Sequence, residues 1–283
     1  MTNFTTGVEM VEVADGVFAR LHEGLTNAGI ILGDDGVLVI DSLRVPSFAR
    51  DLIADVHRLS DKPVRYVIDT HSHWDHAWGN EEFPYSIIVG HANCRAEMLD
   101  LELTQAWRER IRDRRDPWSE EAQTVTVTPP ALTFEDTMQI WFGGRRIDLR
   151  YLGRAHTSGD IFIHLPEERL VFTGDVAQDG GVPYMLDGYV REWVETDTRL
   201  VGLEADRFVS GHGPIGEAPA LAEARDFITA LASSAEAALA EGRDEAAAAA
   251  RTVEDLRERF GGWRGFDRVE ESAAYAYRQL RAG

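Results

Sequence analysis

Only one of the 283 residues is a cysteine, Cys94. No intrachain disulfide can form, and no thiolate cluster can hold a metal. The lone thiol reads as a small buried hydrophobe rather than a nucleophile. Long apolar runs are missing too. None reaches the roughly 18 residues that a membrane-spanning helix needs. Met1 to Met10 hold neither the basic nor the apolar stretch that directs export, so the expected location is the cytoplasm, with no membrane partner. Positive charge is scarce: 29 Lys and Arg stand against 49 Asp and Glu, a formal net charge of -20. So acidic a surface repels phosphate backbones and argues against nucleic acid as a partner. Lys62 is the only lysine, which we read as compositional bias without functional weight.

What is present alternates between strand and helix. Val8–Val13, Val17–Leu21, Ala28–Leu32 and Val37–Ile40 are short β-rich runs, with Asp15-Gly16 and Asp35-Gly36 as turns between them. Pro46 opens an amphipathic helix to about Ser60, with Phe48, Leu52, Ile53, Val56 and Leu59 at helical spacing. Val64–Ile68 reads as a buried strand and Ser86–Val89 as another. One helix is expected from His91 to about Arg115. Phe134–Phe142, Ile147–Leu152, Ile161–Leu165, Leu170–Phe172 and Arg207–Ser210 complete a second set of strands. After Glu217, alanine and charged residues dominate and about three helices are expected. Two β-rich halves with helices outside predict an α/β protein. Its form is a four-layer α/β/β/α sandwich over residues 1–216 with a C-terminal helical extension over 217–283. The extension's amphipathic helices need an apolar partner, either the sandwich or a second subunit in a homodimer.

The run His71-Ser72-His73-Trp74-Asp75-His76 packs four potential metal ligands into six residues. His71 and His73 lie two apart and point the same way in extended chain. Asp75 and His76 follow where a turn into helix would aim them at a neighbouring point. Further candidates each follow a short strand: His156, Asp175 in Thr173-Gly174-Asp175, and His212 between Gly211 and Gly213. Loops at strand ends are where a scaffold presents functional groups. Imidazole and carboxylate suit zinc and also accept iron or manganese.

HSHWDH, RAHTSGD, FTGD and SGHG, in that order, resemble the metallo-β-lactamase superfamily over roughly residues 17 to 214. The resemblance implies that His71, His73 and His156 hold one divalent ion, that Asp75, His76 and His212 hold a second, and that Asp175 bridges them. It also implies a hydroxide between the ions as nucleophile. Asp175 is similar to the bridging residue of glyoxalase II and the acyl-homoserine lactonases, whereas the true β-lactamases generally lack an aspartate there. The implied activity is hydrolysis of a small ester, lactone or thioester. Alternatives within the resemblance are a mononuclear-iron persulfide dioxygenase and a β-lactamase-type amide hydrolase. Asp75 is also the candidate to accept a hydrogen bond from the attacking hydroxide and pass a proton to the leaving group.

The remaining candidates are weaker. His57 and His164 read as structural and His91 as a helix-capping residue. Asp41, ending a strand, is a candidate to support the ligands from behind. Residues 176–189 form the best substrate-loop candidate, with Tyr184 and Tyr189 as potential donors to a developing oxyanion. Trp107, Trp118, Trp193 and Trp263 are candidates for an apolar pocket wall.

Overall fold

A computed structural model describes residues 7–282, so the reading of residues 1–6 lies outside it. The chain opens as a meander. β1 (Val8–Ala14) returns as β2 (Val17–His22) through the Asp15-Gly16 turn, and β3 (Ala28–Leu32) and β4 (Val37–Ile40) follow, all antiparallel. Every residue of β4 is buried, as for a strand covered on both faces. α1 (Pro46–Leu59) then crosses over, so β5 (Val64–Ile68) pairs parallel to β4. The short α2 (Trp74–Ala77) and a 3-10 turn lead to β6 (Ile87–His91), parallel to β5. α3 (Ala92–Leu99), α4 (Leu101–Arg114) and α5 (Ser119–Ala122) precede β7 (Leu132–Phe134), which closes a seven-stranded mixed sheet.

The second sheet has six strands. β8 (Thr137–Phe142), β9 (Arg145–Tyr151), β10 (Ile161–Leu165) and β11 (Leu170–Gly174) run antiparallel in sequence. α6 (Val190–Val201) crosses to β12 (Arg207–Ser210), parallel to β11, and β13 (Ile215–Glu217) forms the edge. α7 (Ala218–Ala240), α8 (Glu245–Phe260) and α9 (Val269–Ala282) complete the chain.

Three apolar cores define the layers. Ile31, Ile40 and Ile68 of the first sheet pack face to face with Ile147, Ile161 and Val209 of the second. The first sheet's outer face meets α1 through Phe48 and Leu52, and α4 through Trp107 and Ile111. Phe162, Val171 and Phe208 turn outward from the second sheet against Trp193 and Leu200 of α6 and Phe227 and Leu231 of α7. The result is the four-layer α/β/β/α sandwich, with the terminal helices sharing the outer core of the second sheet.

Three details differ from the sequence reading. The helix from His91 to Arg115 is two helices, because Asp100 leaves helical geometry and its carboxylate caps the amides of Glu102 and Leu103. The strand read as Phe134–Phe142 is split. Residues up to Phe134 belong to the first sheet, and those from Thr137 belong to the second. α5, α6 and β13 fall in segments for which no element was expected.

Candidate metal centre

All seven candidate ligands converge at one rim of the sandwich. β5 delivers His71 and His73. α2 carries Asp75 and His76, the β9–β10 loop carries His156, and the ends of β11 and β12 lead into Asp175 and His212. Strand carboxyl ends are the usual place for a ligand in such a fold. Three overlapping groups of donors result: His71 with His73 and His156, Asp75 with His76 and His212, and His71 with His76 and Asp175.

The distances give the arrangement its character. His73 Nδ1 and His156 Nε2 face each other at 2.8 Å, two nitrogens that repel unless a proton or cation lies between them. Asp75 Oδ2 lies 3.3 Å from His212 Nε2. Asp175 reaches donors of both trios: Oδ2 is 3.6 Å from His156 Nε2 and 3.3 Å from His212 Nε2, and Oδ1 is 3.3 Å from His76 Nε2. Gly211 makes this possible, since a Cβ there would sit 2.1 Å from Asp175 Oδ1.

The outer ring nitrogens are each held from behind, which fixes ring orientation. Asp41 Oδ2 binds His76 Nδ1 at 2.8 Å and accepts from Thr70 Oγ1 at 2.9 Å; that hydroxyl is itself 2.9 Å from His71 Nδ1. His156 Nδ1 meets the carbonyl of Tyr184 and His212 Nδ1 that of Leu25, at 2.8 and 2.9 Å. His73 Nε2 lies 3.3 Å from Asp187 Oδ2. The inward atoms are different. Among the described residues, His71 Nε2 is buried without a hydrogen-bond partner, and the buried His76 Nε2 and Asp175 Oδ1 face each other at 3.3 Å without forming a hydrogen bond. Buried polar atoms without partners are costly, and here they belong to donors aimed at a common point. The donor set therefore fits divalent cations.

Charge divides the trios. Burial, reinforced by the neighbouring imidazoles, holds His71 well below the ordinary histidine range, and burial with His73 lowers His156 to about 3. Burial also opposes charge on His76 and His212. There, however, carboxylates win: Asp175 and Asp41 raise His76 well above its ordinary value, and Asp175 with Asp75 raises His212 to about 9. Asp75 and Asp175, pushed up by burial, are pulled net well below the ordinary range by His76 and His212. The first trio thus offers neutral lone pairs. The second is a network of ion pairs whose protons a cation would displace.

The centre opens into a cavity of about 930 Å³. Trp107, Trp118 and Tyr184 line it, together with Trp74, which the sequence reading had not singled out. Trp193 instead lies wholly buried on the inner face of α6, and Trp263 stacks on Phe227 within the extension. Tyr189 lies beside Arg154 rather than on the cavity wall. His91 caps α3, its Nδ1 accepting from the Asn93 amide.

Several contributors escaped sequence reasoning. Thr26 Oγ1 donates to Asp75 Oδ2 at 3.0 Å, and Arg44, stacked among Phe48, Trp74 and Trp118, donates to Thr26 Oγ1 at 2.9 Å. Glu97 on α3 accepts from Ser72 Oγ in one ligand loop and from Ser158 N and Oγ in another. Asp187 lies in the expected substrate loop, but nothing in its local sequence marks it.

The family profile described as the Metallo-beta-lactamase superfamily matches residues 22–212. The chain is 28% identical over 207 residues to 2,4-dinitroanisole O-demethylase subunit alpha of Nocardioides sp. (strain JS1661), a match covering 71% of this chain but only 54% of that one. It is 27% identical over 209 residues to acyl-coenzyme A thioesterase MBLAC2 of Homo sapiens, covering 68% and 74% of the two chains. Among solved structures, the metallo-beta-lactamase from Pontibacter korlensis superposes with a TM-score of 0.64 at 17% identity, over 78% of this chain and 99% of that one.

Proposed function

The chain belongs to the metallo-β-lactamase superfamily, and from that membership and its seven converging donors we propose a dinuclear hydrolase that cleaves a small carboxylic ester, lactone or thioester. The observation that carries the reading is the set of buried, unpartnered donor atoms at the base of a cavity large enough for a substrate. The thioesterase relative supports a thioester among the three bond types.

His71, His73 and His156 would hold one ion, Asp75, His76 and His212 the other, and Asp175 both. When bound, two such cations acidify water and polarise a carbonyl oxygen. Zinc suits the donors best, and they also accept iron or manganese. The protein's own groups do the rest. Asp75 takes a proton at a carboxylate oxygen and passes it to the leaving group. Thr26 and Arg44 hold that carboxylate in position through the contacts described above. The wall of Trp107, Trp118 and Tyr184 shelters the acyl portion and excludes water.

The test is a hydrolysis panel of thioesters, lactones, aryl esters, phosphodiesters and β-lactams on zinc-loaded protein, with elemental analysis of the protein as isolated. We expect up to two divalent ions per chain, activity lost on chelation, and highest kcat/KM on a thioester, lactone or ester. One iron per chain with oxygen consumed during persulfide turnover would overturn the reading, as would a β-lactam as best substrate.

A further inference from the structure

The cavity mouth is not built by the sandwich alone. Arg264 and Arg268, between α8 and α9 in the extension, also line it. The extension holds nine arginines. Six of them, Arg225, Arg243, Arg251, Arg257, Arg259 and Arg278, sit within ion-pair distance of a carboxylate. In so acidic a chain that is the expected fate of an arginine. Among the described residues, no carboxylate lies within ion-pair distance of Arg264, Arg268 or Arg281, and of these three only Arg264 and Arg268 line the cavity.

Arg264 is held in place. Its amide donates to the Gly180 carbonyl and its carbonyl accepts from Val182 N, both at 2.9 Å, while Nη2 donates to the Asp179 carbonyl at 2.6 Å. The guanidinium lies against the backbone of Gly213, next to His212. Gly213 has φ +87°, and a Cβ there would come 2.4 Å from Arg264 Nη2. A side chain at Gly181 would come 2.9 Å from the same nitrogen. Two glycines thus leave room for one guanidinium beside a candidate ligand. Of its five N–H donors, one is used by the described residues. Arg268 donates to the Val182 carbonyl at 3.2 Å and lines the same mouth.

We propose that Arg264 and Arg268 form an oxyanion-docking edge, and that the substrate carries a carboxylate or phosphate-like group away from the bond that is cut. Its apolar body would lie along the tryptophan wall, with its anionic end on the two guanidinium forks, whose planar geometry matches such oxyanions. The inference rests on the hydrolase reading for the bond that breaks, but not for the ligand that binds.

Binding of inert ligands tests it. Zinc-loaded protein and its Arg264→Gln/Arg268→Gln variant are titrated calorimetrically with 2-naphthoate, 2-naphthylphosphonate and neutral 2-acetylnaphthalene. None has a bond for the enzyme to hydrolyse, so the outcome is independent of the hydrolysis panel. We expect wild type to bind at least one anion about tenfold or more tightly than the neutral ligand, as a charge-assisted contact would give. The favoured anion identifies the group recognised. The double variant should lose this preference while keeping its zinc content and its affinity for the ketone. Arg268→Gln alone, which leaves the fixed Arg264 intact, should show an intermediate preference and guards against misfolding of the double variant. Absence of any anion preference in wild type overturns the proposal, as does a preference that survives in the folded double variant and so belongs to the cations.

Discussion

Glu97 joins the two segments that carry the first trio. It accepts from Ser72 Oγ, between His71 and His73, and from Ser158 N and Oγ, two residues beyond His156, at 3.2 and 2.5 Å. Glu97→Ala removes all three bonds. Hydrogen bonds to a charged group contribute about 1.5–3 kcal/mol each. Glu97 is only half-buried, so water replaces part of the loss and the sum overshoots. We expect about 2–4 kcal/mol of destabilisation, or a Tm lower by roughly 10 °C in a chain of this size. Residues that orient metal ligands from behind typically alter metal affinity by about 10–100-fold. Zinc binding at the tighter and weaker sites can be separated by competition with a chromophoric chelator. Affinity at one of them should fall by that factor, and Glu97→Gln, which keeps an acceptor, should recover part of it. A Glu97→Ala protein that binds both ions as wild type does, with Tm within about 1 °C, would refute the reasoning.

Asp175→Asn keeps the size but loses the charge that offsets repulsion between two cations. It should lower occupancy of at least one ion in elemental analysis and cut kcat/KM on the order of a hundredfold. Asp197 on α6 is buried with neither carboxylate oxygen partnered, and burial raises its pKa well above 3.8 against the pull of Arg225 and with some help from Asp160. A raised carboxyl contributes full stability below its unfolded pKa and loses it as pH rises through the folded one. The Tm of wild type relative to Asp197→Asn should therefore fall as pH rises from about 4, read in paired series of melts, and a difference that stays flat or grows would contradict the assignment. Phe227, fully buried, edge-on to Phe260 and stacked on Trp263, should cost about 3–5 kcal/mol as alanine. Because the extension and the second sheet share one core, calorimetry should show a single lowered transition, and two separate transitions would contradict a shared core.

The seven donors were visible in sequence because each has a local mark. Four crowd into one hexapeptide, and the others follow short apolar runs, two of them beside glycine. Asp41 was visible for the same reason, standing at the end of Val37–Ile40. Their supports were not. Glu97 meets partners 25 and 61 residues away, and its surroundings read as ordinary helix. Arg44 meets Thr26 across 18 residues, Thr26 meets Asp75 across 49, and Arg264 reaches Asp179 over 85, while Asp187 faces His73 from still farther along the chain. The tryptophans show the limit of composition: Trp107 and Trp193 both sit on helices with apolar stripes, yet one faces the cavity and the other the core. Periodicity found most strands but not the crossing between sheets at Glu135-Asp136, because a β-rich run carries no record of which sheet it joins.

Donor order along the chain sets a timetable for synthesis. His71, His73, Asp75 and His76 emerge from the ribosome early, yet each trio is missing a member until much later. His156 comes 80 residues after His76, and His212 comes 56 residues later still. Both latecomers hang from the second sheet, so neither can reach its partners until the two sheets have closed on one another. On this reading, an unfinished chain offers a passing cation only a partial grip. Full coordination becomes a late event in biogenesis, reserved for chains that have already assembled both halves.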